Sequence, residues 1–155
     1  RQMKRFKAGD YDELLRKMQV HPTSIVLAQA AIETGWGASR FFRNANNVFG
    51  IWSFQDDEAR VRARETRDGK VIYVKKYASL IESVDDYFLT LAKGPYKEFR
   101  KARVSLTDPW QLSGYLTKYS EQGDEYIRKL HMVINANNLV QFDTFQVDPA
   151  FISGG

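Results

Sequence analysis

Ile25-Val-Leu-Ala-Gln-Ala-Ala-Ile-Glu-Thr-Gly-Trp-Gly37 is the stretch whose reading decides the fold. Ile25 to Leu27, Ala28 and Ala30 to Ile32 leave Gln29 as the single polar residue before Glu33, so the run predicts a helix with no wide solvent face, set inside the domain. Gly35 is a natural left-handed C-terminal cap, which places Glu33 in the last turn, where the partial negative charge of the helix end disfavours a second negative charge. That placement suits a general acid: an apolar site beside Trp36, together with the helix end, would raise the carboxyl pKa and hold its proton near neutral pH. The ordinary alternative is a solvated or ion-paired glutamate. A buried helix, a glycine stop and an adjacent tryptophan together weigh against it.

The 155 residues fit one domain able to bury a core unaided. There is no cysteine, and His21 and His131 alone make no metal-ligand pattern, so neither a metal nor any other cofactor is expected. Serine-hydrolase elbows and phosphate- or dinucleotide-binding glycine motifs are missing. No apolar run approaches the roughly 20 residues of a membrane span, and the chain starts at Arg1 with no signal segment, as a mature or trimmed chain would. A net charge of +4 and a pI near 9.3 favour an anionic partner such as nucleic acid, acidic lipid or a cell-wall polymer. The basic residues form no continuous stripe and no base-reading motif, which argues against nucleic acid. Three Trp, eight Tyr and ten Phe exceed what a small core needs and suit a sugar-binding groove.

Outward from the central helix, Asp10-Tyr-Asp-Glu13 caps a short helix ending near Val20, and Pro22 opens the central one. Ala38 to Phe42 is expected to add a helical turn. Asn44 to Trp52 reads as a loop anchored by Val48, Phe49, Ile51 and Trp52, with Asn46 and Asn47 either offering amides to a ligand or tying down the turn. Asp68-Gly69 predicts a hairpin over 61–77. Pairing Arg67 with Lys70 would set Glu65 opposite Ile72 and Ala63 opposite Val74, turning Glu65 toward the apolar face, either ion-paired or facing a cleft. Ser79-Leu-Ile-Glu82 is a capping box for a helix whose inner face is Leu80, Val84, Tyr87, Phe88 and Leu91. Gly94-Pro95 starts another short helix with Tyr96 and Phe99 inward. Asp108-Pro109 starts one with Leu112, Tyr115, Leu116 and Tyr119 on its apolar face, and Tyr126, Ile127, Leu130, Val133 and Ile134 mark the last. The reading is a mainly α, lysozyme-like domain over 1–139 with one inserted β-hairpin lining a cleft, followed by a C-terminal arm or linker over 140–155.

Four blocks in this order carry a resemblance. Ala28-Gln-Ala-Ala-Ile-Glu-Thr-Gly-Trp-Gly37, Asn46-Asn-Val-Phe-Gly50, Tyr77-Ala-Ser-Leu-Ile-Glu-Ser-Val-Asp-Asp-Tyr87 and Tyr119-Ser-Glu-Gln-Gly-Asp-Glu-Tyr-Ile127 resemble the bacterial glucosaminidase family, glycoside hydrolase family 73, and within it the Bax-like proteins of Gram-negative bacteria. The resemblance implies a lysozyme-like fold and hydrolysis of peptidoglycan at the β-1,4 bond following N-acetylglucosamine, with Glu33 as general acid. It implies a second acidic residue in the hairpin, best matched by Glu65, with Asp57 or Asp68 as alternatives because Arg62-Ala-Arg-Glu-Thr-Arg-Asp-Gly69 departs from the family's usual composition. Tyr119 would stand near the cleft, and Asn47 and Phe49 would shape the sugar subsites with Trp36 and Trp52. The expected partner is the peptidoglycan glycan strand, met in the periplasm or cell envelope by a monomer that does not insert in the membrane. A lytic transglycosylase, or a non-catalytic wall-binding module, is the competing reading.

Overall fold

Asp10, Ser39, Ser79 and Asp108 each begin a helix by accepting a hydrogen bond from a first-turn backbone N–H, so the helix starts are written locally into the chain. The computed structural model describes residues 1–151, apart from the side chains of Glu65 and Phe151. In order come α1 (Gln2–Phe6), α2 (Tyr11–Met18), α3 (Thr23–Thr34), α4 (Arg40–Ala45), β1 (Trp52–Ser53), β2 (Arg60–Arg67), β3 (Lys70–Lys75), α5 (Leu80–Lys93), α6 (Lys97–Ala102), α7 (Pro109–Ser113) and α8 (Asp124–Ala136). Three 3-10 segments follow α7 and α8: Gly114–Tyr119, Leu139–Thr144 and Pro149–Phe151.

The main core gathers Ile25 and Ala28 of α3, Tyr87 and Leu91 of α5, Phe99 of α6, Leu112 and Leu116 around the end of α7, and Tyr126, Leu130 and Ile134 of α8. A smaller cluster of Phe6, Leu14 and Ala92 seats α1 and α2 on α5. In α3, the polarity expected of a core helix is partly inverted: Gln29 is wholly buried, whereas Leu27 is 37% exposed. The helix therefore is not enclosed on every side; it packs on α8, α7 and the Leu139–Thr144 turn. On α5 the inner face is Ser83, Tyr87 and Leu91, while Leu80 and Val84 are exposed, as is Tyr115 past α7.

The hairpin tip is as expected, with Asp68 and Gly69 both left-handed and Arg67 paired to Lys70. Further along, the register slips between Arg62 and Thr66, so that Val61 rather than Ala63 opposes Val74. A third strand joins the pair: Trp52 and Ser53 pair with Val74 and Tyr73, giving the order β1-β3-β2. Residues 140–144 pack against α3 and the core. Asp143 accepts hydrogen bonds from the Ser24 N–H at 2.7 Å and the Ser24 hydroxyl at 2.8 Å, capping the start of α3, and Val140 and Phe142 lie on the core.

Candidate active site

The last turn of α3, the loop before β1 and the first turn of α8 converge on Glu33. Gly35, Trp36 and Gly37 are all left-handed, and Thr34 fixes this exit, its hydroxyl donating to the Ala30 carbonyl at 2.7 Å and accepting from the Gly37 N–H at 3.0 Å. The 46–51 loop is laid against the carboxyl by Asn47. Its amide donates to the Ile51 and Lys75 carbonyls at 3.0 and 2.9 Å, and its oxygen accepts from the Ile51 N–H at 3.1 Å. Gly50 then passes so close that a Cβ there would lie 2.9 Å from Glu33 Oε2, and its φ of +65° also favours glycine. The Tyr126 hydroxyl stands near enough to the carboxyl to favour its ionised form. Burial pushes the Glu33 pKa up from 4.5 to about 7, against the opposing pull of the Tyr126 hydrogen bond. Near neutral pH this carboxyl holds a proton it can give away.

Glu33 opens onto a cleft of about 760 Å³. Phe49, Tyr96 and Tyr119 line it on the helical side; Trp52, Glu58, Arg67 and Lys75 line it on the sheet side. Phe49 stacks on Tyr87 with ring centroids 4.0 Å apart, and its carbonyl accepts from the Tyr119 hydroxyl at 3.1 Å. Arg67 lies over the Trp52 ring at 5.2 Å and forms an ion pair with Glu121, bridging the hairpin tip to the loop after Tyr119. Glu58 is biased oppositely to Glu33. Burial acts to raise its pKa, but the Ser53 hydroxyl at 2.6 Å and Lys75 at 3.7 Å outweigh that and hold it below the usual carboxylate range. One cleft thus carries a carboxyl kept protonated and another kept ionised, the division of labour that acid–base chemistry on a glycosidic bond requires.

The model of the glucosaminidase family, described as mannosyl-glycoprotein endo-beta-N-acetylglucosaminidase, matches residues 8–139. The chain belongs to the glucosaminidase family. This glucosaminidase is 36% identical to protein bax of Escherichia coli over 120 residues, covering 70% of this chain and 41% of bax. It is 28% identical to the exo-glucosaminidase LytG of Bacillus subtilis over 163 residues, covering 94% of this chain and 54% of LytG. The chain therefore spans about half the length of these curated relatives. Among solved structures, the catalytic domain of the Listeria monocytogenes autolysin Auto superposes with a TM-score of 0.65 at 24% identity, covering 92% of this chain and 87% of that one. The glycoside hydrolase domain of Salmonella typhimurium FlgJ, truncated at its C-terminus, gives 0.59 at 23% identity, covering 88% and 95%. These likenesses establish the lysozyme-like fold of the glucosaminidase.

Of the residues singled out from sequence, Glu33, Phe49, Trp52 and Tyr119 meet in the cleft. Trp36 is 66% exposed and is not among the cleft-lining residues, because the left-handed backbone after α3 carries it outward. Asn47 is buried and committed to backbone groups, so it shapes the cleft through the loop it holds. Tyr119 turns its hydroxyl to Phe49, and Tyr126, stacked on it at 5.7 Å, is the tyrosine that reaches Glu33. The Glu65 side chain lies outside the described residues; its backbone sits in the stretch of β2 where the register slips. Asp57 and Asp68 are exposed, on the turn before β2 and at the hairpin tip, and neither lines the cleft. Glu58 and Gly50 were not singled out. Gly50 stood within the Asn46–Gly50 block, but nothing local marks a glycine that meets a carboxylate 17 positions earlier.

Proposed function

We propose that the chain hydrolyses the β-1,4 glycosidic bond following N-acetylglucosamine in peptidoglycan, with Glu33 protonating the departing oxygen. The observation that carries this reading is a glutamate whose pKa is pushed up to about 7 by burial at the floor of an open, aromatic-lined cleft. The family supports it, as do the names of relatives: LytG is an exo-glucosaminidase and FlgJ a peptidoglycan hydrolase. As the proton leaves, the Tyr126 hydroxyl steadies the carboxylate that forms. Trp52 offers a flat face to a sugar ring, and buried Phe49, on the loop that Asn47 keeps in place, shapes the cleft floor.

The second carboxylate, which activates water or supports the developing positive charge, is Glu65 in this proposal. Irregular pairing of β2 around it is the kind of backbone feature that re-aims a side chain at an active site. Glu58 is the rival, favoured by its place in the cleft and its ionised bias. Glu65→Gln and Glu58→Gln separate them: loss of several orders of magnitude in rate belongs to the participant, and a mild effect to the bystander. The working chain is a monomer acting on glycan strands in the periplasm or cell envelope; no described helix is long and apolar enough to cross a membrane.

The test is mass spectrometry of borohydride-reduced peptidoglycan after digestion by the wild type and by Glu33→Gln. Reduced N-acetylglucosamine ends from the wild type alone support the hydrolase and its acid. Anhydro-muramic ends make it a transglycosylase, and no new ends from either protein make it a binding module.

A further inference from the structure

Behind Glu33 a chain of hydrogen bonds runs through the core to the opposite side of α3. His21 is buried among Tyr87, Phe88 and Phe99, with Nε2 2.8 Å from the Tyr87 hydroxyl. Tyr87 donates to Gln29 Oε1 at 2.6 Å, and Gln29 Nε2 donates to the Tyr126 hydroxyl at 3.1 Å. Tyr126 in turn stands beside Glu33, where its hydroxyl acts to lower the pKa of the carboxyl. A hydroxyl has a single proton, so the polarity is fixed along the whole chain. Tyr87 spends its proton on Gln29 and must receive one from His21, which places the imidazole proton on Nε2. His21 Nδ1 is then a bare lone pair, and it is a buried atom without a hydrogen-bond partner. Burial and the nearby Arg103 guanidinium both oppose charging of this ring, so it supplies only that one proton.

We propose that Gln29, Tyr87 and His21 are positioning residues for Glu33: they fix the direction of the Tyr126 hydroxyl so that its proton points at the Glu33 carboxylate, and so set the pH at which Glu33 releases its own. The proposal rests on the reading of Glu33 as the acid. Its logic is that of a buried polar network, in which each bond constrains the next. If Gln29 turned its amide over, its oxygen would take the Tyr126 proton; with the His21 proton on Nε2, that turn would leave the Tyr87 proton without an acceptor, so His21 and Tyr87 together oppose it. This also accounts for a glutamine wholly buried on a core helix beside an exposed Leu27. Around Glu33 the other titratable groups are Tyr119 from the 3-10 turn and, among the residues lining the cleft, Glu58, Arg67, Lys75, Tyr96, Lys118 and Glu121. None of them is altered by the substitutions below.

The intact protein labelled with carboxyl-13C glutamate reports the Glu33 titration directly, with Glu33→Gln assigning its resonance. Tyr126→Phe is expected to raise the Glu33 midpoint by about one pH unit, the size of one lost hydrogen bond to a charged group. Tyr87→Phe, which does not touch Glu33, is expected to raise it in the same direction by a part of that, and the double variant is expected to match Tyr126→Phe alone. The basic limb of kcat/KM should move with the midpoint. A Tyr87→Phe midpoint equal to wild type, or shifts that simply add, overturns the proposal, whatever happens to thermal stability. Should Tyr87→Phe fail to fold, 15N spectra of wild-type His21 decide: the Nε2–H tautomer is required, and the Nδ1–H tautomer overturns it. Turnover by Glu33→Gln would remove Glu33 from catalysis while leaving these titrations standing, so the two failures are distinguishable.

Discussion

Glu33→Gln should stabilise this protein, and by an amount that depends on pH. In the unfolded chain the carboxyl ionises near 4.5; in the folded protein burial holds it protonated to about 7. Between those values the folded state binds the extra proton, so each pH step upward favours unfolding; the loss begins near pH 4.5 and is complete above pH 7. At about 1.4 kcal/mol per pH unit, the full difference is about 3 kcal/mol. That is a large share of a typical folding free energy of about 5–15 kcal/mol. Glutamine has the same shape and no charge, and its carbonyl can accept from Tyr126. Urea unfolding of wild type and Glu33→Gln at a series of pH values is the assay. The two should be nearly equal at pH 4, and the variant should be more stable by about 3 kcal/mol at pH 8, or on the order of 5–10 °C in melting temperature. A stability difference that does not change between pH 4 and 8 would refute the reasoning, because it would show that Glu33 titrates alike in the folded and unfolded chains.

Gly50→Ala should lower kcat/KM by on the order of a hundredfold, since its methyl group meets Glu33 Oε2 at 2.9 Å and the acid must move; activity at the wild-type level, read against substrate concentration, would show that the carboxyl has room to spare. Asp143→Ala should cost about 1–2 kcal/mol by uncapping α3 at Ser24, visible in denaturant melts, with kcat unchanged. His21 makes acid unfolding steeper: its pKa is lowered by burial from 6.5 to about 3, so the stability it permits is complete above pH 6.5 and is lost progressively as pH falls toward 3. Unfolding midpoints of His21→Gln, which can still donate to Tyr87 but cannot charge, should lack that loss.

What could be read from the sequence was mostly what a few neighbouring residues determine. Asp10, Ser79 and Asp108 cap helices because the bond they make spans two or three residues, and Gly35 and the Asp68-Gly69 turn follow from backbone preference alone. Glu33 could be picked out because its oddity, a carboxylate at the end of an apolar helix, is itself local. The remainder depended on partners far along the chain. Gln29 points inward because Tyr87 and Tyr126, 58 and 97 positions away, complete its hydrogen bonds. Trp52 and Ser53 become a strand only because β3 offers a free edge, and Asp143 caps its helix through Ser24, 119 residues before it. Val61 displaces Ala63 opposite Val74 because two extra residues of β2 are absorbed in the slip, which no turn rule foretells.

The ion pair between Arg67 and Glu121 gives the cleft a clasp as well as two walls. Both partners remain partly exposed, at 35% and 73%, and a pair in that setting holds with about 1 kcal/mol or less. The tie therefore parts at little cost, joining the hairpin tip to the loop after Tyr119 without closing the open cleft beside them.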